Sequence, residues 1–283
     1  MSNETTDRPI PDGQKYVEIV RSHEAASVAD TESFLSTTGE KAPRALTGLK
    51  AAMAALDGIG SCYWGCARGD HAAEYLIGRS SSTARAAFLL LESAYYDEAL
   101  SLVRSLGELT NLLFLFGIRP AAASEWKSCA DAERRRKFAP VKVRLAIESA
   151  GAPVPVDENR YGTLSERGVH VGPHTAPQRF NPAGVPTLGG FFQGPGALVV
   201  LNELSYVVAL LLLLGAKLVS LPPMVRQSVT ATAEDLYSSV GTVDVGTIEA
   251  LLARAARRGR SPAPADTSDT DGPNDAGSPG HDN

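Results

Sequence analysis

Apolar residues recur along much of this chain at steps of three and four, the period of one face of an α-helix. Leu46, Leu49, Met53 and Leu56 form the first such run, which starts near Pro43, a residue suited to a first helical turn. A second helix is predicted over residues 72–91, with Ser81, Ser82 and Thr83 as an internal cap that divides it. The cleanest stripe belongs to a third helix, residues 95–116. There Leu100, Val103, Leu106, Leu109, Leu113 and Phe116 share one face, and Pro120 is the stop signal. A fourth helix fits residues 124–149, capped by Ser124 and kinked just before Pro140. After a turn at 151–155, Asp157 caps a short helix over 158–171, which Gly172 and Pro173 end. Residues 172–196 are rich in Gly and Pro and carry Phe180, Leu188, Phe191 and Phe192. They read as a binding loop or lid, or as a small hairpin about Gly189 and Gly190.

Residues 197–219 are the most apolar stretch, with five leucines in a row from Leu210 to Leu214. Glu203 and Lys217 bound the clean run at about ten to thirteen residues, short of the roughly 20 that a bilayer crossing needs. A helix apolar all round belongs in the middle of a bundle. A last helix is expected over 233–258, interrupted at 241–246, and a weak one over 15–23 precedes a polar connection at 27–41. The fold class is therefore all-α: an irregular helical bundle around a central apolar helix at about 197–219, with disordered ends. Residues 1–40 read as a loosely structured arm, 41–258 as the bundle and 259–283 as a disordered acidic tail.

Composition narrows the function classes. The net charge of −5 gives no general pull towards nucleic acid or anionic lipid. Three cysteines, an odd and low count, argue for a reducing compartment, so the expected location is cytoplasmic, with no secretory leader in residues 1–14. No phosphate-binding loop, dinucleotide fingerprint, nucleophile elbow or His-Glu-x-x-His pair occurs. Arg134, Arg135, Arg136, Lys137, Lys142 and Arg144 form one basic cluster and Arg254, Arg257, Arg258 and Arg260 another; both read as solvated helix faces.

Four groups of residues have chemical potential. Arg104 and Glu108 stand one helical turn apart in apolar surroundings. They form either an intrahelical ion pair at the edge of the core or an arginine held for a phosphate or carboxylate. Glu166, His170 and His174 fall at steps of four, but Gly172 and Pro173 break the helix that would align them on a metal. His170 reads as a helix-end cap, with acid–base work as the alternative. Cys62 and Cys66 read as core thiols, so neither metal nor cofactor is expected.

The order Arg104, Glu108, Trp126, Tyr161-x-x-Leu164-Ser165 and His170 resembles a group of uncharacterised bacterial helical proteins over residues 80–220. Arg104, Glu108, Tyr161, Ser165 and His170 are accordingly the candidate binding residues. Arg167 and His174, with six residues between them, are similar to the Arg–His signature of the HEPN superfamily, although Gly168 replaces the polar residue that usually follows the arginine. That resemblance implies a metal-independent ribonuclease. His170 or His174 would act on a 2′-hydroxyl proton, and Arg167 or Arg104 would steady the phosphate. The primary expectation is a binding or interaction module with a small polar site, a second copy of the chain being one partner option. The alternative is the ribonuclease, and RNA is a partner only under it.

Overall fold

The computed structural model describes residues 12–64, 71–170 and 189–240. Those residues form ten helices and no strand, so the chain is all-α.

The first helix, α1 (Gly13–Thr37), is one continuous element where a weak segment and a polar connection were expected. Asp12 caps it by accepting from the backbone N–H groups of Gln14 and Lys15, both at 3.0 Å. Its buried positions are Ser27, Thr31 and Leu35, one turn apart each, so two hydroxyl residues occupy what would ordinarily be an apolar stripe. Ser27 donates to the carbonyl of Gly190 at 2.6 Å, which satisfies one of them inside the protein.

Next come α2 (Lys41–Gly60), α3 (Ala72–Glu92) and α4 (Tyr96–Ile118). The backbones of α2 and α3 touch: a Cβ on Gly60 would lie 2.6 Å from the Cα of Gly78, so only glycine fits there. The predicted internal cap in α3 is not formed. Ser80, Ser82 and Thr83 donate to the carbonyls of Leu76, Gly78 and Arg79 at 2.8, 3.2 and 2.9 Å, so the hydroxyls turn back four residues and the helix runs through.

The expected fourth helix is three: α5 (Pro120–Ser128), α6 (Asp131–Lys137) and α7 (Pro140–Ser149). Pro120 and Pro140 each begin a helix, where the missing N–H costs nothing. Between α5 and α6 the backbone is extended at Cys129 and Ala130. The Arg134 side chain holds that break, donating to the carbonyls of Trp126 at 2.7 Å and Cys129 at 2.8 Å. The short α8 (Glu158–Gly168) has Asp157 as its cap, as expected, and ends at Gly168, three residues early.

The apolar helix α9 (Gly194–Leu218) is the axis, and α10 (Pro223–Val240) lies along it. Pro223 sets the start of α10 ten residues before the expected position; the rest of the predicted last helix, 241–258, lies outside the described residues. The helices α2, α3, α4 and α10 surround α9, and every residue from 204 to 214 is at most 2% exposed. The helices α4 and α9 are each long and apolar enough to cross a membrane, a test that a buried core helix also passes, and most of each apolar stretch is buried inside the fold. No strand forms at 189–192, the described part of the hairpin proposed over 185–192.

Candidate functional site

Four of the five candidate binding residues meet where α8 lies on α4. The connection that delivers α8 is held from two sides. Asn111 on α4 clamps Val156, its amide donating to the carbonyl at 2.8 Å and its oxygen accepting from the N–H at 2.9 Å. Tyr206 on α9 donates to the carbonyl of Pro155 at 2.7 Å. Asp157 then starts α8 by accepting from the N–H of Arg160 at 2.8 Å. Asn111 is 3% exposed, so Asn111→Ala leaves two buried backbone groups without partners. The expected loss is about 2 kcal/mol in chemical denaturation.

The far end of α8 is seated just as closely. A Cβ on Gly168 would stand 2.7 Å from the Ser101 nitrogen and 2.9 Å from the Leu100 carbonyl carbon. The glycine stands there because α4 leaves no room for a side chain. Ser101 donates to the Gly168 carbonyl.

Between these anchors, Arg104 on α4 reaches α8. Its Nε donates to Ser165 Oγ at 2.8 Å, and an Nη donates to the Tyr161 hydroxyl. The same Nη lies 3.1 Å from a Glu108 carboxylate oxygen, which also accepts from the Tyr161 hydroxyl at 2.9 Å. The expected Arg104–Glu108 ion pair is thus formed, and a tyrosine and a serine from the facing helix complete a closed ring of donors and acceptors. Burial, then the hydrogen bond to and the charge of Glu108, push the Tyr161 phenol up, with Arg104 working the other way.

A fifth residue joins from α7. Arg144 places its guanidinium 4.6 Å from the centre of the Tyr161 ring, the same distance as Arg104. Reading it as part of a solvated basic face needs correction: it is 8% exposed. Its Nη1 is shut off from solvent and has no hydrogen-bond partner. No ion pair to it is formed among the described residues. One carboxylate therefore stands against two guanidinium groups. Beside this cluster, Glu108 lines a cavity of about 330 Å³ between α3, α4 and α7, with Ser105, Thr83, Phe138 and Val143.

The neighbouring arginine on α8 makes the contrast. Arg160 lies 3.4 Å from the centre of the Tyr206 ring, as Arg144 lies on Tyr161. Arg160, however, has its own carboxylate: it donates to Glu203 through Nε at 2.8 Å and through an Nη at 3.3 Å.

The remaining candidates lie elsewhere. His170 is exposed, beyond the end of α8. It caps that end through its backbone N–H, which donates to the Ser165 carbonyl at 2.9 Å, and not through its imidazole. No hydrogen bond or ring contact joins the imidazole to the Arg104 cluster among the described residues. Arg167, in the last turn of α8, lines two cavities with Glu203, of about 370 and 250 Å³. His174 lies outside the described residues, as do Cys66 and most of the 172–196 loop. Sequence reasoning missed Arg144, Asn111 and the Arg160–Glu203 pair. A signal for Arg144 was present: a helix starting at Pro140 puts it three residues before Ile147, on the buried stripe.

No protein-family model, curated protein or solved structure matches this chain.

Proposed function

We propose that this chain is a binding module whose polar site between α4, α7 and α8 takes a small ligand bearing a phosphate or a carboxylate. The observation that carries the reading is Arg144. A guanidinium taken out of water needs an anion, because an uncompensated buried charge is costly. Within the same fold Arg160 has Glu203, while Arg144 has an aromatic ring and, among the described residues, no acid. Stacking on Tyr161 offsets part of the cost, since the face of the ring attracts a cation. It also orients the guanidinium, the state in which an arginine binds a planar or tetrahedral anion with least loss of freedom. Arg104 supplies a second cation, already fixed by Ser165, Tyr161 and Glu108.

Titration calorimetry of the full chain with inorganic phosphate and with malonate tests this. Phosphate is expected to bind saturably at one site, and malonate to compete with it. Arg144→Met and Arg104→Met are each expected to weaken that binding at least about tenfold, the worth of one charge-assisted hydrogen bond. Absence of saturable binding by both anions, or equal binding by the parent and Arg144→Met, removes the reading.

A further inference from the structure

A second cluster lies far along the chain from that site, where α2 hands over to α3. The α2 helix ends at Gly60, and the chain turns at once: Ser61 N–H donates to the Asp57 carbonyl at 3.0 Å and Tyr63 N–H to the Gly58 carbonyl at 3.2 Å. The Trp64 ring closes over Gly58, where a Cβ would stand 2.5 Å from it. Inside this turn Cys62 has φ of +55°, a left-handed conformation that residues other than glycine seldom adopt. Such backbone persists only where surrounding contacts hold it. The Cys62 thiol, expected in the core, is half-buried and lies beside His71 at the start of α3.

His71 and Glu74 stand on the other side. His71 immediately precedes α3, and its side chain does not cap the helix. Its Nδ1 lies 3.9 Å from Cys62 Sγ and 3.7 Å from a Glu74 carboxylate oxygen. All three donor atoms fall within 4.8 Å of one another. A tetrahedral zinc ion, with bonds of about 2.0–2.3 Å, holds its ligand atoms about 3.3–3.6 Å apart. The triangle needs to contract by only a few tenths of an ångström on the two measured edges.

Glu74 gives an independent reason for a cation. It is 9% exposed, and the ion-pair contact it makes among the described residues is to that imidazole nitrogen, at a distance too long for a hydrogen bond. A divalent ion bound directly to this carboxylate would compensate it far better than an imidazole nitrogen 3.7 Å away. The donor set names the class. A thiolate, an imidazole and one carboxylate suit zinc, whereas calcium and magnesium take oxygen.

We propose that Cys62, His71 and Glu74 bind a zinc-class divalent cation, which ties the C-terminal end of α2 to the first turn of α3. The ion replaces the thiol proton, so binding releases a proton and strengthens as pH rises through the thiol range. Three protein ligands leave the fourth position to water or to another donor.

The full chain, stripped with a chelator, reloaded with zinc or cobalt and dialysed, gives the test. One equivalent of metal is expected to remain, and the cobalt form is expected to show thiolate-to-cobalt charge-transfer absorption. Cys62→Ser is expected to abolish that absorption and Cys129→Ser to preserve it. Glu74→Gln and His71→Gln are each expected to weaken zinc at least about tenfold in competition with a coloured chelator. Glu74→Gln is isosteric and decides the matter alone if Cys62→Ser fails to fold. Failure to retain metal, a charge-transfer band that survives Cys62→Ser, or zinc binding indifferent to Glu74→Gln would each overturn the proposal.

Discussion

Arg160→Met is expected to cost about 3 kcal/mol in a denaturant titration, while Arg144→Met stays within about 1 kcal/mol of the parent. The two arginines are alike in kind: both are largely buried and both stack on a tyrosine ring. They differ in what each leaves behind. Removing Arg160 strands Glu203, whose side chain is 21% exposed and has lost both of its hydrogen bonds. Removing Arg144 strands no acid among the described residues, where its Nη1 has no hydrogen-bond partner. The methionine keeps an unbranched stem against Tyr161, and what is lost is a cation–ring attraction of about 1 kcal/mol, set against relief of an unpaired buried charge. Equal and large losses in the two variants would mean that Arg144 has a carboxylate partner in solution.

Leu211→Ala is expected to destabilise the fold by roughly 3–5 kcal/mol, the upper range for a leucine truncated in a rigid core. Leu211 is fully enclosed, in the C-terminal half of α9, with α2, α3, α4 and α10 around the helix. Helices approaching from several sides cannot all collapse onto one vacated site, so much of the cavity remains. A loss under about 1 kcal/mol in the same titration would show that α9 is not the packed axis.

The parts of this fold that the sequence made legible are those where one face of a helix is apolar and its ends are marked. The α4 helix has an unbroken leucine stripe and a proline just past its end, and α9 is apolar all round. Asp157 announces α8 by its type alone. The α1 helix was underestimated because its buried stripe is partly hydroxyl, and Ser27 is satisfied by a carbonyl 163 residues away. No local pattern reports such a partner. A single kinked helix through Pro140 is the wrong frame for α5–α7, because a proline serves equally well as a first residue and here starts α7. That frame error carried Arg144 from the buried stripe of α7 to an imagined solvated face.

The candidate site divides in the same way. Arg104 and Glu108 could be paired from their spacing, since one helix fixes it. Tyr161 and Ser165 entered only through a resemblance, because their contact with Arg104 depends on how α8 is laid across α4. That placement is set by Asn111 and Gly168, neither of which looks chemical in the sequence. The Cys62–His71–Glu74 triangle was invisible for a different reason. Its residues sit on two helix ends joined by a turn, so no period relates them, and Glu74 reads as an ordinary acidic residue in a first turn.

Paired thermal melts of the parent and Arg144→Met, in phosphate and in chloride at matched ionic strength and pH, bear most directly on the claim that Arg144 awaits an anion. The parent midpoint should climb with the logarithm of phosphate concentration once the site begins to fill, and the Arg144→Met midpoint should not move between the two salts. Identical phosphate responses in the two proteins would contradict the claim, because the stabilisation would then come from somewhere other than this guanidinium.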